Sequence, residues 1–167
     1  MPLPCRCLLL ALLLPLSLLA TASELPFHQP RPGLYTHGQP SAGQLQQAAS
    51  AGITTVIDLR GPAEDRGYDQ QAAAEALGLR YVRLPVAGPD DLNADNARAL
   101  HQILAHHSGP VLLHCGSANR AGALLALRAA QQQGWETVSA LELGHAAGMR
   151  SLTPVVQRLL QADPTTP

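Results

Sequence analysis

Cys115 and Arg120, separated by Gly116-Ser117-Ala118-Asn119, are the residues of this chain whose types and spacing could do chemistry. Ahead of them Val111, Leu112 and Leu113 form the apolar run a buried strand needs, entered through a Gly109-Pro110 break. Behind them Ala121, Ala123, Leu124, Leu125, Leu127 and Ala130 follow a helical pattern, with Gly134 as its stop. A strand that turns directly into a helix leaves the first N–H groups of that helix unpaired, at its electropositive end. Such a turn binds an anion and favours the thiolate of a cysteine placed in it. Cys115 is then expected as a thiolate on the floor of an oxyanion pocket, with Arg120 as a bidentate clamp. That geometry suits attack on phosphorus or on sulfur.

The elements that must hold this turn follow from the patterns upstream and downstream. Leu34-Tyr35-Thr36, Ile53 to Leu59 and Leu79 to Val86 read as strands, which with Val111 to Leu113 makes a sheet of about four. Ser41-Ala42-Gly43-Gln44 is a capping box opening one helix, Asp69 caps a second, and Asn93 caps a third through Ala97, Leu100, Ile103 and Leu104. Trp135 to Ala147 and Pro154 to Gln161 are two closing helices. Strands alternating with helices at these spacings predict an α/β fold, a three-layer sandwich around a mostly parallel sheet. In such sheets the ligand site lies beyond the carboxyl ends of the strands, which brings the loops after Leu59 and Val86 to Cys115.

The chain has 167 residues, 46% of them hydrophobic, and a formal net charge of −1. One domain with a real core is expected, over residues 33–162, with a tail at 163–167. Near-neutral charge without a basic tract argues against a nucleic-acid partner. Residues 1–22 read as a signal peptide: Arg6 precedes an apolar run from Leu8 to Leu19, and Ala20-Thr21-Ala22 is a small-x-small cleavage site. The run is shorter than the ~20 residues of a membrane span, so no membrane association is expected after cleavage. Export would place the protein outside the cell, or in the periplasm of a Gram-negative bacterium. Cys5 and Cys7 leave with the signal, so Cys115 becomes the lone thiol of the mature chain. Residues 23–32, with three prolines, read as an extended arm.

His-Cys-Gly-Ser-Ala-Asn-Arg-Ala-Gly at 114–122 now joins Thr-Val-Ile-Asp-Leu-Arg at 55–60 and Leu-Arg-Tyr-Val-Arg-Leu-Pro-Val at 79–86. Gly38-Gln39-Pro40-Ser41 and the stretch Gly-His-Ala-Ala-Gly-Met-Arg-Ser-Leu at 144–152 fit the same order. Together they resemble the beta-lactamase-hydrolase-like phosphatase family, within the wider tyrosine and dual-specificity phosphatase group, over residues 33 to 160. The resemblance implies that Cys115 is the nucleophile of a phosphocysteine intermediate. It implies that Arg120 and the backbone of Gly116, Ser117, Ala118 and Asn119 hold the phosphoryl oxygens, and that His114 orders the loop. It also implies a carboxylic acid after Val86 that protonates the leaving group; Asp90 and Asp91 are the candidates, although an Asp pair before a helix also serves turn chemistry.

This chain departs from that pattern at three points. Four residues separate Cys115 from Arg120 where tyrosine phosphatases have five, a spacing that resembles single-domain rhodaneses. Ala118 stands where Gly is common in a turn that can need positive φ, and Ala121 where Ser or Thr usually supports the thiolate. The leading expectation is a secreted, cysteine-dependent hydrolase of phosphate monoesters, acting on a phosphorylated small molecule or protein without a cofactor. The alternatives are a rhodanese-type sulfurtransferase, with a sulfur donor and acceptor as partners, and a catalytically weak anion- or phosphoprotein-binding domain. Asp58 and Arg60 read as a structural pair, and His106-His107 ends a helix without further ligands of suitable spacing, so no metal is expected. Ser117 has no Gly-x-Ser-x-Gly elbow around it.

Overall fold

The computed structural model describes residues 25–162, and the strand expected ahead of Cys115 lies at the middle of its sheet. The strands are β1 (His28–Arg31), β2 (Leu34–His37), β3 (Thr55–Asp58), β4 (Arg80–Arg83) and β5 (Val111–His114), in spatial order β1-β2-β5-β3-β4. β2, β5, β3 and β4 run parallel, while β1 pairs antiparallel with β2. β3 and β5 are buried at every position, as strands covered on both faces must be.

The helices are α1 (Ala42–Ser50), α2 (Gln70–Ala76), α3 (Ala94–Ala105), α4 (Asn119–Gln133), α5 (Thr137–Ala146) and α6 (Thr153–Ala162). Successive strand residues face opposite ways, and that alternation divides the core. Val56 and Leu112 point to one face, where they meet Leu45 and Ala48 of α1 and Ala74 of α2. Ile57, Val111 and Leu113 point to the other, where they meet Leu100 of α3, Leu124 and Leu127 of α4, Leu143 of α5 and Leu160 of α6. The three-layer sandwich is therefore as expected, and so are the caps: Ser41 and Gln44 form the reciprocal capping box, Asp69 accepts from the N–H of Ala72, and Asn93 accepts from that of Asn96. Gly134 ends α4 at φ 66°, a left-handed C-cap.

The sheet differs from the expectation of about four strands: it has five, because part of the expected arm forms β1. Pro30 and Pro32 removed the strand signal from this segment, yet proline is compatible with an edge position, which is where β1 lies. The regular part of the strand expected over 79–86 is short, but its continuation stays paired, with Leu84 N–H donating to Asp58 O (3.0 Å) and Val86 N–H to Leu59 O (2.8 Å). The helix expected from Trp135 begins at Thr137. The expected signal peptide at 1–22, the start of the arm and the tail at 163–167 lie outside the described residues. Among the described residues no helix is long and apolar enough to cross a membrane.

Candidate active site

The chain leaves β5 at His114 and enters α4 at Asn119, so Cys115 to Ala118 form the turn between strand and helix. Cys115 is fully buried on the floor of that turn, while Gly116 and Ser117 are exposed above it. The end of β2 anchors one side: Cys115 N–H donates to His37 O (3.4 Å) and Gln39 N–H to Gly116 O (3.3 Å). Gly38 crosses so closely that a Cβ there would stand 3.1 Å from Gly116 O. Asn119 anchors the other side, since its Oδ1 accepts from the N–H groups of Arg150 (2.8 Å) and Leu152 (3.4 Å) and its Nδ2 donates to Ser151 Oγ (2.7 Å).

Ala118 adopts φ 66°, ψ −16°, the left-handed region, and is the N-cap of α4 without a side-chain cap of its own. The first helical hydrogen bond runs from Gly122 N–H to Ala118 O (2.9 Å). The N–H groups of Asn119, Arg120 and Ala121 therefore precede the helical ladder and have no partner within it. They lie at the positive end of a 15-residue helix.

Arg120 is held from across the loop after β3. Its Nη1 and Nη2 donate to Glu64 Oε1 (2.5 Å) and Oε2 (2.7 Å), a two-point carboxylate pair, and Nη1 also reaches Val86 O (2.8 Å). The hydrogen bonds to Glu64 raise the guanidinium pKa against the opposing effect of burial, and the same pair lowers that of Glu64. The sequence did not single out Glu64, which lies in the loop after Leu59. Its sole signal was an acidic residue in a loop beyond the carboxyl end of a strand.

Beneath the turn lies a buried polar cluster. Asp58 accepts from Arg60 Nε (2.9 Å) and Nη2 (3.0 Å), from Arg66 Nε (3.2 Å) and from the Tyr81 hydroxyl (2.7 Å). Burial alone would raise the Asp58 pKa, but Arg60, His114 and Tyr81 hold it well below the usual carboxylate range. Arg60 also donates to Gln70 Oε1. At 1% exposure Arg60 belongs to this buried pair, as expected, and not to a substrate-facing surface. His114 has its Nε2 3.3 Å from Gln70 Nε2 and 3.8 Å from Asp58 Oδ1, with its Nδ1 3.4 Å from Cys115 O. Burial, opposed by the charge of Asp58, brings the imidazole down to about 4, so it is neutral at pH 7. The neutral imidazole keeps one N–H, and its Nδ1 faces the Cys115 carbonyl in the turn.

The two aspartates of the loop after β4 have different surroundings in the 3-10 turn Pro89–Asp91. Asp91 Oδ2 accepts from the Ala87 N–H (2.7 Å) and staples the loop, whereas Asp90 is exposed. The loop touches the clamp through the carbonyls of Val86 and Ala87. His106 and His107 bond carbonyls of their own helix end, and no group of three His, Cys, Asp or Glu among the described residues could hold a metal ion.

Residues 32–132 match the family model of the phosphatase-like domain of beta-lactamase hydrolase-like proteins. A beta-lactamase hydrolase-like protein of Xylella fastidiosa (strain Temecula1) is 34% identical over 131 residues, 74% of this chain and 30% of the relative. One of Agrobacterium fabrum is 34% identical over 94 residues, 54% of this chain and 22% of the relative. The chain thus spans less than a third of the curated relatives it matches. Among solved structures, a protein of Neisseria meningitidis superposes with a TM-score of 0.70 at 23% identity, over 82% of this chain and 98% of its own. TpbA of P. aeruginosa in complex with pTyr superposes with a TM-score of 0.59 at 22% identity, over 81% and 82%. These likenesses show a cysteine phosphatase-like fold.

Proposed function

From the chain's membership of the beta-lactamase hydrolase-like phosphatase family, we propose that it is an exported, cysteine-dependent hydrolase of phosphate monoesters. The observation that carries this reading is the Arg120 guanidinium, fixed at two points by Glu64 beside the Cys115 sulfur, at the amino end of α4. A tetrahedral anion above Cys115 would meet the leading N–H groups of α4 and the charge of Arg120, the donors that phosphoryl transfer requires. Cys115 Sγ attacks phosphorus, an S–P bond forms, and the P–O bond to the leaving group breaks as that oxygen takes a proton from Asp90 or Asp91. Water then attacks phosphorus, the S–P bond breaks, and the same carboxylate takes the water proton as phosphate departs. Asp90 is favoured for this duty because Asp91 is engaged by the Ala87 N–H. A variant of TpbA was crystallised with pTyr, which supports a phosphorylated ligand for this chain. Export rests on the leader-like residues 1–22.

Sulfur transfer through a Cys115 persulfide is the second reading, favoured by the four-residue spacing to Arg120. One experiment separates them: p-nitrophenyl phosphate hydrolysis and thiosulfate–cyanide transfer, run in parallel on the wild type and Cys115→Ser. The expected outcome is phosphate release that falls by a factor of at least ~1,000 in Cys115→Ser, without thiocyanate. Thiocyanate without phosphate would overturn the phosphatase reading. Anion binding that depends on Arg120, without turnover of either substrate, would point to the binding-domain alternative.

A further inference from the structure

At the opposite end of β5 from Cys115, a cleft of about 470 Å³ is lined by Arg31, Leu34, Leu104, His107, Val111 and Arg128. A four-residue strand separates it from the catalytic turn by roughly 13 Å, so the two sites do not overlap. The cleft combines apolar side chains of β2, β5 and α3 with two arginines, and no Asp or Glu among the described residues lines it. Arg31 is exposed on β1, whereas Arg128 is half-buried and placed differently from the other buried or partly buried arginines described above. Arg60, Arg66 and Arg120 each have a carboxylate partner.

Arg31 instead lies over the Trp135 ring, 4.9 Å from its centroid, a cation–π contact. Arg128 is half-buried on α4; its Nη1 donates only to Gln133 Oε1 at 3.3 Å, and its Nε is buried without a hydrogen-bond partner among the described residues. Burial and the neighbouring charge of Arg31 lower its pKa, the reverse of what a paired arginine experiences. Two like charges converging on one cleft, one of them partly desolvated, cost stability unless an anion offsets them.

We propose that this cleft is a binding site for an amphipathic carboxylate, whose anionic head lies between Arg31 and Arg128 and whose hydrocarbon body covers Leu34, Leu104 and Val111. The chemistry of the lining selects this class. A planar carboxylate suits guanidinium edges, and the apolar wall rewards a hydrocarbon that inorganic phosphate lacks. The volume falls within the range of small-molecule pockets.

The test is calorimetric titration of the full-length protein with octanoate, octanol, octylamine and inorganic phosphate. Saturable octanoate binding is expected, at least tenfold tighter than phosphate or octanol and absent for octylamine. Arg31→Gln and Arg128→Met should each weaken it at least tenfold, and Arg120→Met should leave it unchanged. Equal binding by octanol or phosphate, insensitivity to both rim substitutions, or loss in Arg120→Met would each overturn the proposal. Thermal unfolding supplies the second readout. Arg128→Met should be at least as stable as the wild type, because it gives up a single long hydrogen bond while removing an unpaired charge. If it is less stable, the exposed Arg31→Gln decides the binding result alone.

Discussion

Ala118 carries the backbone strain of the site. Its φ of 66° is the left-handed conformation that a Cβ disfavours, and it is the only non-glycine residue with positive φ among those described. Its methyl is packed against Gly148, where an added Cβ would stand 2.7 Å away, so the two positions accommodate one side chain between them. The left-handed conformation costs an alanine about 1–2 kcal/mol, part of which glycine recovers as unfolded-state entropy. Ala118→Gly is therefore expected to raise the unfolding free energy by about 1 kcal/mol in urea titration at unchanged slope. A decrease instead would mean that the packing of the methyl outweighs the torsional strain. The same substitution tests whether a strained turn limits turnover, since the cradle N–H groups follow it directly.

At the scale of elements, the β5–α4 turn is pinned from two directions. β2 supplies backbone bonds to Cys115 and Gly116, while Asn119 ties the first turn of α4 to residues 150–152 ahead of α6. The N-cap, Ala118, has no side chain able to bond the helix, and Asn119 at the first helical position reaches the following connection, so the leading N–H groups of α4 receive no side-chain cap. Asn119→Ala should cost about 1–2 kcal/mol, because the N–H groups of Arg150 and Leu152 lose their acceptor. Amide hydrogen exchange should accelerate at those two positions more than within α6. Uniform acceleration would show that Asn119 supports the whole domain and not this joint.

At the scale of the molecule, the parallel order β2-β5-β3-β4 brings the carboxyl ends of four strands to one edge, with the Asp58 cluster beneath and the clamp above. The buried, neutral His114 gives this arrangement a pH signature. Its imidazole protonates near 6.5 in an unfolded chain and near 4 in the fold, so between those values the unfolded state binds more protons. The contribution is fully present above pH 6.5 and is lost as the pH falls toward 4, by about 3 kcal/mol. Urea unfolding of the wild type and His114→Gln at pH 7 and pH 4.5 checks this. The wild type should lose more stability than the variant, and parallel losses would remove His114 as the cause. The depressed Asp58 acts in the same direction at lower pH, where its protonation would leave Arg60 and Arg66 without their acceptor.

The local features of this protein were determined by its sequence. The Cys115–Arg120 spacing, the caps at Ser41, Asp69 and Asn93 and the Gly134 stop depend on residues a few positions apart, whose sterics and hydrogen bonds act before any tertiary contact forms. The alternation of strands and helices likewise announced the parallel sandwich. Only the tertiary structure decided what meets across the chain. Glu64 reaches Arg120 over 56 residues, and Asn119 reaches Arg150 over 31, because the sheet order places their loops together. His28–Arg31 became a strand because β2 offered an open edge, against the signal of Pro30 and the adjoining Pro32. Arg31 of β1 and Arg128 of α4 line one cleft. Pairings of this kind are set by which backbones lie side by side, a property of the folded sheet and not of any single stretch of sequence.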